Sequence, residues 1–164
     1  MVYDDARVCD IACVWGNAHI YDSARIYGNV RIHNKTCVHD TASVSGNAEI
    51  YQDAHVYDSA YIHDNAEICG KALICGSAEI CGKARIGGSA YLSTSRDIIV
   101  IGPLGSEDRY ASAFRTKDGF AFSAGCFYRN YEQFIEAVKS KHKDSLLAQE
   151  YLGFAETAKL RFSN

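Results

Sequence analysis

The chain has 164 residues, of which 48% are apolar, and its formal net charge of −3 corresponds to a pI near 6.0. This length allows one domain with an appendage, and the apolar content is enough for a buried core. The weakly acidic balance argues against binding to a phosphate backbone through a basic surface, and the sequence contains neither a polybasic membrane patch nor an apolar run of the ~20 residues that a membrane span needs.

The N-terminal segment, residues 1–5, has no basic start followed by an apolar stretch, so we expect a cytoplasmic protein. The seven cysteines are an odd number, which indicates reduced thiols. None of them forms a CxxC pair, and Cys69, Cys75 and Cys81 follow a six-residue spacing that is not typical of metal sites. We therefore expect structural thiols, no bound metal and no cofactor.

Residues 2–97 consist of sixteen consecutive six-residue repeats without an insertion. Each repeat begins with an aliphatic residue, and its fifth position is alanine in thirteen of the sixteen. The third and fourth positions are mostly Asp, Gly, Asn and Ser, which favour turns. The pattern predicts a short strand followed by a corner. Because one such unit cannot bury its aliphatic residue alone, the units are expected to stack around a continuous apolar column.

This pattern resembles that of the hexapeptide-repeat proteins, in which three repeats make one triangular coil of a left-handed parallel β-helix. The resemblance covers more than half of the chain and implies about five coils over residues 1–97. It also implies that residues eighteen apart lie above one another, one strand spacing of ~4.8 Å apart. The family is rich in acyltransferases but has members with other roles, so the fold does not fix the function.

If that geometry applies, the outward residues of one side carry no formal charge, whereas the other two sides carry several. We call this set the uncharged stripe: His19, Tyr21, His39, His55, Tyr57, Leu73 and Tyr91. A uniform stripe of this kind indicates an interface. It leaves three uses open, namely self-association, docking of the C-terminal helices and binding of a target. We expect a homo-oligomer, a trimer rather than a dimer.

Two corner columns repeat the same residue at eighteen-residue intervals. The aspartate ladder is Asp4, Asp22, Asp40 and Asp58, and the asparagine ladder is Asn29, Asn47 and Asn65. Stacked asparagine amides can hydrogen-bond along the coil axis. We interpret both columns as turn chemistry. The alternative for the aspartates is phosphate mimicry or cation binding, because carboxylates ~5 Å apart repel one another.

Residues 98–164 predict a small α+β cap, a β-meander plus two helices. The predicted strands are residues 98–101, ended by the segment 102–105, then 110–116 and 120–123. Asn130 followed by Gln133 predicts the start of one helix, and a second is expected to start near Asp144 or Ser145. This cap would cover the last coil, whose edge otherwise offers unpaired backbone groups.

Within this region, the segments 101–106, 114–119 and 125–127 resemble a C-terminal module found after hexapeptide repeats in small phage and prophage proteins. The resemblance implies a protein of the bacterial host cytoplasm. It suggests a non-enzymatic binding protein that inhibits a bacterial defence system, for example an anti-CRISPR-like protein. The expected partner is a bacterial host protein or protein complex, with no membrane and no direct nucleic-acid binding.

Two alternatives stay open. The first is an acyltransferase that uses acetyl-CoA, because enzymes of the resembled family employ a histidine as general base, and His19, His39 and His55 are the outward candidates. Against it, the uninterrupted repeat provides no projecting loop, and no basic cluster is visible for the phosphates of coenzyme A. A Gly125-Cys126 pair alone is not a nucleophile signature. The second alternative is a structural oligomeric rod.

Overall fold

The computed structural model describes residues 1–104, 109–125 and 127–163. Its first part is a β-solenoid in which two-residue strands stack in parallel into three five-stranded sheets, so that the chain makes five coils. In chain order the strands are β1 Arg7–Val8, β2 Cys13–Val14, β3 His19–Ile20, β4 Arg25–Ile26, β5 Arg31–Ile32, β6 Cys37–Val38, β7 Ser43–Val44, β8 Glu49–Ile50, β9 His55–Val56, β10 Tyr61–Ile62, β11 Glu67–Ile68, β12 Leu73–Ile74, β13 Glu79–Ile80, β14 Arg85–Ile86 and β15 Tyr91–Leu92.

The coils stack with the predicted period of eighteen residues. Ile62 pairs with Val44 in the coil below and with Ile80 in the coil above. Val2 forms an isolated parallel bridge to Ile20, so the first repeat also takes part. The predicted fold class is therefore confirmed: the chain is mainly β, a solenoid of about five coils followed by a small α+β cap.

The corners explain the composition of the repeat. The third residue of each of the first fifteen repeats has a φ between 56° and 86°, in the left-handed region. Glycine, aspartate and asparagine adopt this region at the lowest cost, and glycine, aspartate, asparagine and one glutamine occupy it here. At Gly46 space adds a second constraint, because a Cβ there would lie 2.8 Å from the backbone nitrogen and oxygen of Asp64.

The solenoid core is closed at one end and open at the other. From Ala18 to Leu92 the inward aliphatic residues and alanines are at most 1% exposed, whereas Val8 and Val14 in the first coil are only partly buried. The sixteenth repeat forms a strand but not the expected corner. Thr94 caps a short 3-10 helix, Ser95–Asp97, and the Asp97 carboxylate accepts hydrogen bonds from the backbone N–H of Ser93 and Thr94.

The cap is an antiparallel meander with two helices, as predicted. Its elements are β16 Ile98–Leu104, β17 Arg109–Thr116, β18 Gly119–Ala124, β19 Phe127–Arg129, α1 Tyr131–His142 and α2 Leu146–Phe162. Asn130 and Gln133 form the expected capping box of α1, and Ser145 caps α2. Among the described residues, neither helix has the combination of length and apolar character that crossing a bilayer requires.

Two strand predictions need correction. The first strand does not end at residue 101 but continues to Leu104, because β16 is an edge strand and an edge tolerates a proline such as Pro103. It is not fully buried either, since Val100 is 38% exposed. The strand β19 was not predicted, because three residues with two exposed side chains show no alternating pattern.

The meander lies between the last coil and the two helices, because its side chains alternate between the two faces of the sheet. On β17, Ser112 and Phe114 face the solenoid, and the Ser112 hydroxyl accepts a hydrogen bond from the backbone N–H of Arg85 at 3.1 Å. Ala111 and Ala113 face the helices. The cap thus covers the upper end of the coils. The buried residues of α1 and α2 pack on the sheet rather than along the uncharged stripe.

Candidate binding surface

All seven residues of the uncharged stripe lie on the outer face of one sheet, β3–β6–β9–β12–β15. They form two columns. His19, His55, Leu73 and Tyr91 precede the inward aliphatic residue of their strands; Tyr21, His39 and Tyr57 follow it. Most of these side chains are half-buried by their neighbours in the adjacent coils, and Tyr91 is 39% exposed. The eighteen-residue period therefore assigned these seven residues to one side of the solenoid, and the fold does place them there.

The second column forms a parallel ring stack. The rings of Tyr21 and His39 are 4.6 Å apart between centroids, those of His39 and Tyr57 are 5.3 Å apart, and both pairs are within 5° of parallel. The coil spacing fixes this arrangement, since each ring lies one coil above the last. A hydrogen bond with the Cys75 thiol, together with burial, raises the pKa of Tyr57 to about 12, so this phenol is neutral at physiological pH.

The aspartate ladder borders the ring stack at the adjoining corner. Oδ2 of Asp22 accepts a hydrogen bond from the backbone N–H of Asp40 at 3.2 Å, and Oδ2 of Asp40 accepts one from Asp58 at 3.1 Å. Each carboxylate thus satisfies an amide in the next coil, which is the turn chemistry expected for this column. The asparagine ladder behaves as expected too, with the Asn29 amide donating to Asn47 at 3.3 Å.

The ladder is not neutralised by basic residues of its own side. The five-residue segments that form the stripe face and its corner are 1–5, 19–23, 37–41, 55–59 and 73–77, and none contains lysine or arginine. They contain the four ladder aspartates and Asp5. An uncharged aromatic face with an acidic edge results, and its field is attractive to cations.

His39 is the histidine most closely tied to this acidic edge. Its Nδ1 lies 3.1 Å from Oδ2 of Asp40 and 4.0 Å from Oδ2 of Asp22. By contrast, Nδ1 of His19 is hydrogen-bonded to the hydroxyl of Tyr3. His55 lies in the first column of the stripe, not in the ring stack that borders the aspartate ladder. Of the three candidate bases, His39 is the one with a carboxylate contact among the described residues, and such a contact would orient its imidazole for proton transfer.

Among the described residues, His39 and its two carboxylate neighbours form a group whose spacing would allow it to hold a metal ion. Asp22, His39 and Asp40 offer one ligand atom each, all within 4.8 Å of one another. One imidazole nitrogen with two carboxylate oxygens is a donor set that suits zinc or manganese. However, both Oδ2 atoms already accept backbone hydrogen bonds, so the carboxylates have a structural role without an ion.

A second ring stack lies on the neighbouring sheet β2–β5–β8–β11–β14 and was not singled out from the sequence. Trp15 stacks on His33 at 4.4 Å, and His33 on Tyr51 at 5.3 Å. The signal was available, since these aromatic residues are eighteen apart. This sheet differs from the uncharged stripe because its outer face carries charged residues, and these residues pair with one another on the same face. Arg31 pairs with Glu49 at 3.0 Å.

A basic cavity in the cap was also missed. It has a volume of about 310 Å³ and lies where the ends of β17, β18 and β19 meet α1. Arg109, Arg129, Lys141 and His142 line it together with apolar side chains. This basic cluster was not identified from the sequence, in which we looked only for one that could hold the phosphates of coenzyme A. Its members come from three separate elements, so only the tertiary structure brings them together.

Two of the described thiols are made less reactive by their surroundings. The six described cysteines are free, and burial raises the pKa of the Cys37 and Cys69 thiols, which lowers their reactivity at neutral pH. Cys126 lies outside the described residues. Three cavities among the described residues are lined by residues between 96 and 161, and none of these three is lined by His19, His39 or His55.

Comparisons with protein-family models, with curated proteins and with solved structures found no match for this chain. Its function therefore has to be inferred from the aromatic face, its acidic edge and the cap.

Proposed function

We propose that the chain is a non-enzymatic binding protein whose binding surface is the uncharged stripe together with the aspartate ladder. The observation that carries the proposal is the parallel stack of Tyr21, His39 and Tyr57 beside the carboxylates of Asp22 and Asp40. Stacked coils hold these rings and carboxylates in place. A surface that is already ordered loses little side-chain entropy on association, which favours binding.

The chemistry of this surface fits a basic partner that is rich in arginine. A guanidinium group pairs with carboxylates through a planar fork of donors, and because it is weakly hydrated it can also pack against the aromatic side chains that border them. Asp22 and Asp40 make their backbone hydrogen bonds and their contacts to His39 through Oδ2, and a carboxylate has about four lone-pair sites, which leaves acceptor capacity for a partner. The aspartate ladder presents carboxylates with this free acceptor capacity in successive coils.

The biological form of the proposal rests on the resemblance of residues 98–162 to the cap of phage and prophage hexapeptide-repeat proteins. On that basis we propose a phage-type inhibitor of a bacterial defence system that acts in the host cytoplasm. Proteins that handle nucleic acid carry basic, arginine-containing surfaces. An anti-CRISPR-like protein that covers such a surface would need the acidic, aromatic edge described above, and it would not itself bind nucleic acid.

A hexapeptide-repeat acyltransferase is the second candidate, and the contact between His39 Nδ1 and Asp40 Oδ2 at 3.1 Å is the observation that favours it. A carboxylate in this position would fix the orientation of the imidazole. The face around His39 is a flat ring stack, however, and the described cap cavity lies beyond the last coil. An acyl donor and an acceptor would have to bind on that open face.

Self-association is the competing use of the same face, and the predicted trimer would bury it. The aspartate ladder makes the two uses distinguishable. Two copies that meet through their stripes bring like-charged ladders closer, so added salt should strengthen the oligomer. A basic partner is attracted by the ladder, so added salt should weaken that complex.

The test is binding of a fluorescent octa-arginine peptide, followed by anisotropy, with octa-lysine as the comparison. We expect saturable binding that is tighter for octa-arginine and weakens as salt rises. The double variant Asp22→Asn/Asp40→Asn should lower the affinity at least fivefold. Asparagine still accepts the backbone hydrogen bond and tolerates the left-handed corner, so the coils should stay intact.

The matched control is Asp10→Asn/Asp64→Asn. These two aspartates also occupy left-handed corners and accept backbone hydrogen bonds from Gly28 at 2.8 Å and Gly82 at 3.0 Å, but they lie on another edge. The control removes the same net charge and should change the affinity less than twofold. An equal loss in both double variants would mean that only net charge matters, and the proposed surface would then be wrong.

A further inference from the structure

The cavity in the cap combines an apolar floor with a basic rim. Its floor consists of Phe134, Val138 and Tyr151, which are 5%, 5% and 8% exposed. Its rim includes Arg129 from β19 and Lys141 from the last turn of α1. Of the described residues that line the cavity, none is acidic. A site of this composition favours a ligand that is apolar at one end and negatively charged at the other.

The charge on the rim has more than one origin. Basic residues in the last turn of a helix are favoured by the helix dipole, and this alone would account for Lys141 and His142 of α1. It does not account for Arg109 and Arg129, which belong to strands of the sheet and line the same cavity. Three elements, two strands and one helix, thus contribute cationic side chains to the lining of one cavity.

An aromatic wall adds to the apolar part of the cavity. The ring of Phe127 lines the cavity and is 47% exposed. The guanidinium of Arg129 lies 5.2 Å from the centre of this ring. A cation–π contact of this kind orients the arginine at the cavity mouth. An apolar tail inside would cover the exposed ring while its charged end meets the arginine.

We propose that this cavity binds a small amphipathic carboxylate, with the apolar tail on Phe134 and Val138 and the carboxylate between Arg129 and Lys141. A volume of about 310 Å³ lies at the lower end of the range of ligand pockets. Since a water molecule takes ~30 Å³ in the liquid, the cavity has room for roughly ten non-hydrogen atoms. A saturated carboxylate of medium length has this size.

The experiment uses octanoate as the probe and the full-length protein, with isothermal titration calorimetry. We expect one saturable site for octanoate. Octan-1-ol and octylammonium test the charge and acetate tests the tail, and each should bind at least tenfold more weakly. Octanoate affinity that is no better than that of octan-1-ol would show that the rim does not recognise an anion and would overturn the proposal. Absence of saturation below millimolar concentrations would overturn it too.

Two variants of α1 locate the site. Lys141→Glu reverses a charge on the rim and should weaken octanoate binding at least tenfold. Lys139→Glu reverses a charge in the same helix turn, but Lys139 lines a different cavity, so binding should change less than twofold. Both variants alter the helix dipole and the net charge equally. Equal effects would assign the binding to general electrostatics and contradict the proposed site.

A third variant tests the cavity itself. Ala137 lines it from α1 and is half-buried, so Ala137→Leu would fill part of the space without disfavouring the helix. We expect this variant to keep its thermal stability and to lose octanoate binding. Unchanged binding in a folded Ala137→Leu protein would place the ligand elsewhere.

Discussion

The imidazole of His39 lies parallel to the phenol ring of Tyr21, with 4.6 Å between the ring centroids and 5° between the planes. This relationship follows from the repeat, because the two residues are eighteen positions apart and occupy equivalent places in successive coils. It fixes the imidazole ring beside the aspartate ladder, so that Nδ1 meets Asp40. The surface that we propose for binding is thus built by the stacking of coils, without a loop.

The salt dependence of the oligomer distinguishes self-association through the stripe from binding of a basic partner. The sequence predicts a homo-oligomer, a trimer rather than a dimer, and multi-angle light scattering measures its mass directly. If the stripe forms the contact, Tyr57→Arg should shift the mass toward the monomer while circular dichroism stays unchanged, and raised salt should favour the oligomer of the native chain. A native monomer would contradict the assembly prediction and leave the stripe to a target.

Burial of charge tests the register of the coils. Ile62 is fully buried in the middle of the stack, so Ile62→Asp should place an unpaired carboxylate in the core and lower the free energy of unfolding by more than ~4 kcal/mol. Ser59→Asp, at an exposed corner of the same coil, should change it by less than ~0.5 kcal/mol. Chemical denaturation followed by circular dichroism measures both. An Ile62→Asp protein with native stability would be incompatible with this register.

The binding proposal predicts that the protein does not transfer acetyl groups. Acetyl-CoA with common sugar and amine acceptors should yield no free thiol above the background rate. His39→Ala is the decisive variant, since His39 is the candidate base with a carboxylate partner. Acetyl transfer by the native protein that disappears in His39→Ala, with the fold intact, would establish the acyltransferase instead.

The stability of the protein should depend on pH through His63, which lies on a side of the solenoid away from the stripe. Burial lowers its pKa, but hydrogen bonds to Glu79 at 3.1 Å and to Asp64 outweigh burial, and the pKa is raised overall. A raised folded-state pKa gives stability that is fully present below the ordinary histidine pKa of ~6.5 and is lost as the pH rises through the folded value.

The corresponding variant is His63→Gln, compared with the native chain in urea denaturation at pH 6 and pH 9. We expect the variant to be less stable at pH 6 by on the order of 0.5 kcal/mol, since Glu79 and Asp64 are solvent-exposed, and the difference to shrink at pH 9. A difference that grows with pH would show that the protonated imidazole is not what stabilises this face.

The coils could be predicted from the sequence alone, because the repeats specify their own local structure: an aliphatic residue that must be buried, an alanine at the fifth position in thirteen of the sixteen repeats, and in most of them an Asp, Gly or Asn that adopts the left-handed conformation. The composition of the stripe could be predicted too, since a period of eighteen assigns each residue to a side of the solenoid.

Contacts that do not follow this period depend on tertiary packing. The pairing of His39 with Asp40 depends on side-chain rotamers, and β19 forms because β18 offers it a partner edge. The basic cavity exists because the ends of three strands meet α1, which brings Arg109, Arg129 and Lys141 together across long stretches of chain. Local periodicity carries no information on such contacts, because they depend on how the cap packs rather than on any repeat.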